Sequence, residues 1–177
     1  MATVHESYRD YQAPRWIRPT VERLLASIPA RHLSGLGTVV LTDAAAIGVG
    51  KTRRVGGRKY NRNACLGFYH RKHSGTPASI EIVVDNAVAG WPAFVFALNL
   101  FRDLVMARVL FHELGHHLDA TIGAAAPTGE AAAEDWNRRL GRLYFRRRYW
   151  WLRPFAVVVR PVARWMRSRR ARRRNVA

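Results

Sequence analysis

The sequence predicts one α+β domain followed by a basic helical tail. Three short β-rich segments precede a long apolar segment, a second helical pattern follows it, and the last part of the chain is rich in arginine. The chain has 177 residues, of which 49% are hydrophobic, and this is enough to bury a core of ordinary size. We expect a domain over residues 1–150 and an extension over residues 151–177.

The first elements in chain order are a helix and three strands. Residues 16–30 have a helical pattern, with Pro19 near its first turn. Strands are predicted over residues 36–42, 64–70 and 79–85, which are short, rich in β-branched or aromatic residues, and bounded by turn residues. A short loop joins the last two as an antiparallel pair, so we expect a small sheet that is either mixed or antiparallel.

A glycine-rich basic segment separates the first two strands. Residues 48–52 are similar to the end of a phosphate-binding P-loop, but Ala45 occupies the position of the required glycine. The following residues, 53–59, form a poor helix pattern. We therefore expect a flexible basic loop here and no nucleotide site.

A long apolar segment at residues 93–111 contains neither Gly nor Pro, which predicts a helix buried on nearly all sides. It carries Arg102, Asp103 and Arg108. Each would cost about 2.5–3.5 kcal/mol at the centre of a bilayer. A buried helix of a folded domain is therefore favoured over a membrane span.

This helix leads into the motif HELGH at residues 112–116. Residues four apart lie on one helix face, so His112 and His116 can bind a single metal ion while Glu113 leans toward a metal-bound water. The alternative is a core helix whose histidines only hydrogen-bond to the backbone. An interior Glu between two His is costly to bury without a partner, and a metal supplies one. The motif predicts a zinc site with Glu113 as the catalytic general base.

Catalytic zinc usually has three protein ligands and one water, so a third ligand is expected. In the metzincin pattern HExxHxxGxxH the third His would be at Ile122 and the Gly at Asp119, which excludes that class. Residues 130–140 form a second helical pattern, for which Thr128 is a candidate N-cap.

The second helical pattern begins with Glu130-Ala131-Ala132-Ala133-Glu134. Together with HELGH, this segment resembles the gluzincins, zinc metallopeptidases whose third ligand is a Glu on the helix after the HExxH helix, often as ExxA followed by an acidic residue. The resemblance implies that Glu130 is the third ligand, that Ala133 lets two helices approach, and that Glu134 accepts a hydrogen bond from a ligand imidazole. Glu134 as the ligand remains the alternative, because both carboxylates share one helix face.

The resemblance covers residues 93–140 and, with so short a connection between the two motifs, implies a compact, minimal zincin-like domain. It implies hydrolysis of peptide bonds through a metal-activated water. In that fold an edge strand beside the active site binds an extended peptide or protein substrate, and our candidate strand is residues 80–85.

Four further residues near the motifs are candidates for supporting roles. Tyr144 or Arg142 could donate to an oxyanion. Asp119 could accept a hydrogen bond from a ligand imidazole, act as an alternative ligand, or close the helix. His117 is turned about 100° from the metal and is expected to line the pocket or lie at the surface.

The chain is strongly basic, since Lys and Arg exceed Asp and Glu by 18. No acidic residue follows Asp135, and the C-terminal part alternates Arg-rich runs with aromatic residues. Such a segment could bind an anionic membrane surface or a nucleic acid, or it could be a solvated face packed through its aromatic side chains. The alternative function is a basic nucleic-acid- or membrane-surface-binding protein with a structural or vestigial zinc site.

The N-terminal residues, 1–8, lack an apolar signal core. The lone Cys65 cannot form an internal disulfide. Both features favour a cytoplasmic location, either free or at the inner face of the membrane. The sequence does not predict the substrate or the oligomeric state.

Overall fold

The computed structural model describes residues 2–47, 52–55, 58–61, 64–122 and 129–152. The candidate N-cap Thr128 and nearly all of the predicted extension 151–177 lie outside these residues. The chain divides into two compact units, Met1–Gly141 and Arg142–Ala177. This division falls before the boundary that the sequence placed after residue 150.

The described residues form six β-strands and five α-helices. The strands are β1 Thr3–Ser7, β2 Leu36–Thr42, β3 Thr52–Val55, β4 Arg58–Asn61, β5 Gly67–His70 and β6 Ala78–Val83. The α-helices are α1 Ile17–Ala26, α2 Ala44–Ile47, α3 Val84–Val88, α4 Asn99–Ile122 and α5 Glu130–Arg148. Short 3-10 turns cover Ala30–Leu33, Ala93–Ala97 and Trp150–Leu152.

Four strands form a mixed sheet in the order β1-β2-β6-β5. β1, β2 and β6 are parallel, and β5 pairs antiparallel with β6. Alternate residues of the two central strands are fully buried, among them Val39, Leu41, Ile80 and Ile82. Helices α1 and α4 pack together and contact the strands. The described residues therefore combine helices with a sheet, and of the two expected sheet types, mixed and antiparallel, the sheet is mixed.

Several predicted elements agree with the structure. The strand at Leu36–Thr42 has the predicted bounds, and the other two predicted strands become β5 and β6, which form the expected antiparallel pair. The N-terminal strand β1 was not predicted, because only Val4 of its residues is buried. Without alternating burial, a strand has no period-two signal in the sequence.

The prediction that residues 80–85 form an edge strand is wrong. β6 ends at Val83 and lies between β2 and β5, so both of its sides are paired. Asp85 belongs to helix α3 instead. The parallel partner of β6 lies about 40 residues earlier in the chain, and such pairing leaves no local pattern in the sequence.

The expectation of a loop throughout residues 48–59 is also wrong for its described part. Strands β3 and β4 form an antiparallel hairpin, with Arg54 opposite Lys59. Arginine and lysine are not strong strand formers. The basic composition of this segment therefore does not indicate a hairpin.

Helix α4 begins at Asn99, after the 3-10 turn, and continues to Ile122. Its side chains are buried around most of the circumference, as predicted. Asp103 is completely buried and forms an ion pair with Arg23 of α1, which accounts for one charge inside the apolar segment. None of the helices in the described ranges has the length and apolar character needed to cross a bilayer.

One stripe of α4 remains open. Residues at every fourth position along it are exposed or half-buried, while their neighbours are buried; these are Leu104, Arg108, His112 and His116. A spacing of four keeps side chains on one side of a helix. We call this stripe the open face of α4.

Candidate metal centre

The two histidines of the HELGH motif lie side by side on the open face of α4. Their ring centroids are 5.0 Å apart and their planes are nearly perpendicular. Both side chains are half-buried, so each ring is partly fixed by packing and still reachable from outside. Continuous helix through residues 112–116 produces this arrangement, because one turn brings i and i+4 together.

Glu130, the first residue of α5, faces both histidines. One carboxylate oxygen lies 3.3 Å from Nε2 of His112 and the other lies 3.6 Å from Nε2 of His116. One ligand atom from each of the three residues can be chosen so that all lie within 4.8 Å of one another.

The two carboxylate–imidazole separations, 3.3 and 3.6 Å, are close to those expected around a zinc ion. With bonds of 2.0–2.1 Å in tetrahedral geometry, two ligand atoms are about 3.3 Å apart. Two imidazoles and one carboxylate are also a donor set that zinc uses when it keeps a fourth position open.

Glu134 lies one helical turn after Glu130 and approaches His112 from the other side of the ring. Its Oε2 atom is 3.9 Å from Nδ1 of His112, a distance longer than a hydrogen bond. Asn137 and Arg138 donate hydrogen bonds to the carboxylate. The bonds from Arg138 and then Asn137 lower the pKa of Glu134, so it stays anionic beside the imidazole.

The backbones of α4 and α5 touch at Gly115 and Ala133. A Cβ atom added to Gly115 would lie 2.6 Å from the carbonyl oxygen of Ala133 and 2.7 Å from its Cα. Ala133 is fully buried. A small residue was expected on α5 but not on α4, although a glycine inside a helix, such as Gly115, is itself a sign of close packing.

Asp119 contacts the start of α5. Its Oδ2 atom accepts a hydrogen bond of 2.9 Å from the backbone N–H of Gly129. Gly129 directly precedes Glu130, so this bond connects the last turns of α4 to the residue before the carboxylate. This contact with the residue before α5 is different from the three roles expected for Asp119.

Glu113 points into the protein and is almost completely buried. Strand β5 passes beside it at Gly67. A Cβ atom on Gly67 would lie 3.1 Å from Oε1 of Glu113 and 2.9 Å from Cγ1 of Val109. Gly67 was predicted only as part of a strand, with no role of its own. A glycine within a β pattern is nevertheless a sign that another group approaches the strand closely.

Strand β5 is the edge of the sheet on the side of Glu113. Val83 donates its N–H to the carbonyl of Leu66, and the register places Phe68 opposite Glu81. In an antiparallel pair, alternate residues bond to the neighbouring strand. The N–H and C=O groups of Gly67 and Tyr69 therefore point away from β6, toward a side that no other described strand occupies.

His117 is buried, which corrects the expectation of a pocket-wall or surface residue. Its Nε2–H donates to the carbonyl of Ser34 at 3.0 Å, and its Nδ1 accepts from the hydroxyl of Tyr69 at 3.2 Å. Burial lowers the pKa of His117, which favours the neutral ring that this pattern requires. The hydrogen bond between His117 and Tyr69 connects α4 to β5.

The remaining predicted site residues belong to the second unit. Arg142 and Tyr144 lie on α5 more than three helical turns after Glu130, and their role as oxyanion donors stays a prediction. Nearly all of the Arg-rich extension is outside the described residues. Binding of an anionic membrane surface or a nucleic acid by the tail also stays a prediction.

Comparison of the chain with protein-family models, with curated proteins and with solved structures finds no match.

Proposed function

We propose that this protein is a zinc-dependent metallopeptidase of compact gluzincin type, with a zincin-like fold. The observation that carries the proposal is the convergence of His112, His116 and Glu130 from two helices, with one ligand atom of each within 4.8 Å of the others. The Glu130 oxygens lie 3.3 and 3.6 Å from the two Nε2 atoms, close to the separation of about 3.3 Å expected around tetrahedral zinc. Glu113 lies between the histidines in sequence and is buried. That arrangement suits a general base close to the metal.

In this assignment Glu130 is the third ligand. It is the carboxylate near both Nε2 atoms, whereas Glu134 is near Nδ1 of His112. The negative charge of Glu134, 3.9 Å from Nδ1 of His112, favours the tautomer that carries its proton on Nδ1 and leaves Nε2 for a metal. Bound zinc would lower the pKa of a water toward about 7 and polarise the substrate carbonyl.

Glu113 then performs the proton transfers. Its carboxylate accepts a proton from the attacking water and delivers it to the nitrogen that leaves the cleaved peptide bond. Gly67 of β5 and Val109 of α4 lie against the same point as this side chain, which holds it between the strand and the helix.

The substrate would be an extended peptide that pairs with strand β5. Gly67 lies beside Glu113 and Tyr69 lies beside His117, so β5 runs along α4 past the HELGH motif. The outward N–H and C=O groups of Gly67 and Tyr69 can hydrogen-bond to a peptide backbone, which is the usual mode of strand addition. β5 replaces residues 80–85 as the candidate substrate strand.

The test combines metal analysis with proteolysis. Purified full-length protein, dialysed extensively, should contain one zinc per chain and cleave a quenched fluorescent peptide library. Glu113→Gln should retain zinc and lose activity by about 10²–10⁴-fold. Glu130→Gln should lose zinc, and Glu134→Gln should keep it with about 10–100-fold weaker affinity.

A matched control is Asp135→Asn, which changes a carboxylate on the same helix that pairs with Arg139. This variant should keep both zinc and activity. Full proteolysis by zinc-loaded Glu113→Gln, or a wild-type protein without zinc, would exclude the proposed function.

The second candidate is a basic protein that binds nucleic acid or a membrane surface. The observation in its favour lies within the second unit, where exposed Trp150 and Trp151 follow Arg146–148. Aromatic rings beside arginines can stack on bases or enter a lipid interface. In full-length protein, Trp150→Ser with Trp151→Ser should then weaken binding to single-stranded DNA or anionic vesicles, with zinc content unchanged.

A further inference from the structure

The segment before α4 exposes an unusual amount of apolar surface. Residues 91–98 include no polar side chain, and we call them the apolar turn. Trp91, Phe94 and Leu98 are 38%, 77% and 58% exposed. Large aromatic and aliphatic side chains that cluster on a surface mark a binding site more often than isolated ones do.

Contacts with Trp16 and Arg102 hold the apolar turn in place. Its residue Phe96 stacks on Trp16, with ring centroids 4.9 Å apart. Arg102 donates a hydrogen bond to the carbonyl oxygen of Phe96, and its guanidinium lies 5.7 Å from the centre of the Trp16 ring. Phe96 therefore packs against the rest of the protein, whereas the side chain of Phe94 in the same turn is exposed.

The sequence around the turn is free of negative charge. Neither residues 86–102 nor residues 12–21, which include Trp16, contain Asp or Glu. The next acidic residue, Asp103, is buried and paired with Arg23. Since the whole chain carries a formal charge of +18, long-range electrostatics attract it to anionic surfaces.

The exposed area favours a lipid surface over a second copy of the chain. Trp91, Phe94 and Leu98 together expose roughly 350 Å² of side chain. A stable protein interface buries about 800 Å² on each partner. Insertion of a few aromatic and aliphatic side chains into the headgroup region needs no complementary surface, and Trp is enriched at that depth.

We propose that the apolar turn inserts into the interfacial region of an anionic lipid bilayer. The site is distinct from the Arg-rich tail, and it does not depend on the proposed peptidase activity. Electrostatic attraction brings the protein to the surface, and Trp91, Phe94 and Leu98 provide the apolar contact that resists salt.

The test uses full-length protein and vesicles of phosphatidylglycerol and phosphatidylcholine in equal amounts. Partition is measured by co-sedimentation in 0.1 M and in 0.5 M NaCl, because high salt screens the arginines. The variant Trp91→Ser/Phe94→Ser/Leu98→Ser should partition at least tenfold more weakly in 0.5 M NaCl. A control, Ile122→Ser/Leu143→Ser, alters two other exposed apolar side chains and should bind like the wild type.

A second measurement locates the contact. With Cys65→Ser removing the native thiol, Phe94→Cys carries an NBD fluorophore, whose emission should shift to the blue on vesicles and be quenched by brominated lipids. Circular dichroism and thermal unfolding verify that the variants are folded.

Equal partition of the triple variant and the wild type in 0.5 M NaCl would overturn the proposal, as would an NBD signal that vesicles leave unchanged. Self-association of the wild type that the triple variant lacks, with equal lipid binding, would assign the turn to a second copy. Zinc content and proteolysis are measured in separate experiments. The lipid-binding results therefore do not test the metallopeptidase proposal.

Discussion

Gly115 and Ala133 bring the two helices of the candidate metal centre into backbone contact. The space that a Cβ atom of residue 115 would need is filled by the Ala133 backbone, with its carbonyl oxygen at 2.6 Å and its Cα at 2.7 Å. Ala133 is three residues after Glu130, or about one helical turn. The contact therefore determines how closely the Glu130 carboxylate approaches the imidazoles.

Gly115→Ala should separate α4 from α5 and weaken zinc binding. A methyl group in this position must displace backbone, which typically costs about 1–3 kcal/mol of stability. Urea unfolding and zinc competition with a chromophoric chelator measure the two effects. The control is Gly141→Ala on α5, where an added Cβ meets no atom within 4 Å; it should stabilise the protein by about 0.5–1 kcal/mol. Unchanged zinc affinity in Gly115→Ala would contradict this account of the helix contact.

Asp119→Ala should reduce zinc affinity about tenfold, the lower end of the effect of residues that orient metal ligands. The reason is that the Gly129 N–H loses its acceptor and the first residue of α5, Glu130, is less firmly positioned. Asp135→Ala removes a carboxylate that pairs with Arg139 on the helix surface, and should change stability and affinity little. If both variants bind zinc equally well, the Asp119 contact does not position the ligand.

Gly67→Ala should lower kcat/KM while zinc content stays unchanged. The new methyl group would press on Oε1 of Glu113 and on Val109, and a displaced general base loses efficiency. Gly37→Ala on β2 is the matched control, because its Cβ would meet the side chain of Pro77, just before β6, at 2.8 Å. It should reduce stability without a loss of activity per folded molecule, and equal losses in both variants would refute a specific effect on Glu113.

Asp43→Asn should destabilise the protein at neutral pH by about 2–4 kcal/mol. Burial raises the pKa of Asp43, but backbone hydrogen bonds from residues 9–11 and Ala46 lower it and prevail. An amide can accept at only one of the two oxygen positions.

The pH dependence of this effect follows from the lowered pKa. The contribution of Asp43 is complete above its unfolded pKa of about 3.9 and is lost as the pH falls through the lower folded value. The difference in unfolding free energy between wild type and Asp43→Asn should therefore shrink between pH 5 and pH 2 by urea titration. The exposed Asp10→Asn serves as the control, and a difference that stays constant with pH would rule out the carboxylate charge as the cause.

Elements that depend on local patterns of residues can be predicted from the amino-acid order alone. The HELGH spacing places two imidazoles on one helix face, and the resemblance of residues 130–134 to the gluzincin pattern pointed to Glu130 and Glu134. The strand at residues 36–42 was found with its bounds, and α1 lies within the predicted segment. Helical and strand periodicities are short-range properties, so the order of side chains along the chain is enough to recognise them.

The folded structure is needed to identify the residues that meet across the fold. It placed β5, instead of β6, at the sheet edge beside Glu113. It also paired Gly115 with Ala133, joined Asp119 to Gly129, and left the apolar turn exposed. Each of these relationships involves segments that packing and strand pairing bring together. A local sequence pattern does not show which distant residue will hydrogen-bond to a backbone group or cover an apolar side chain.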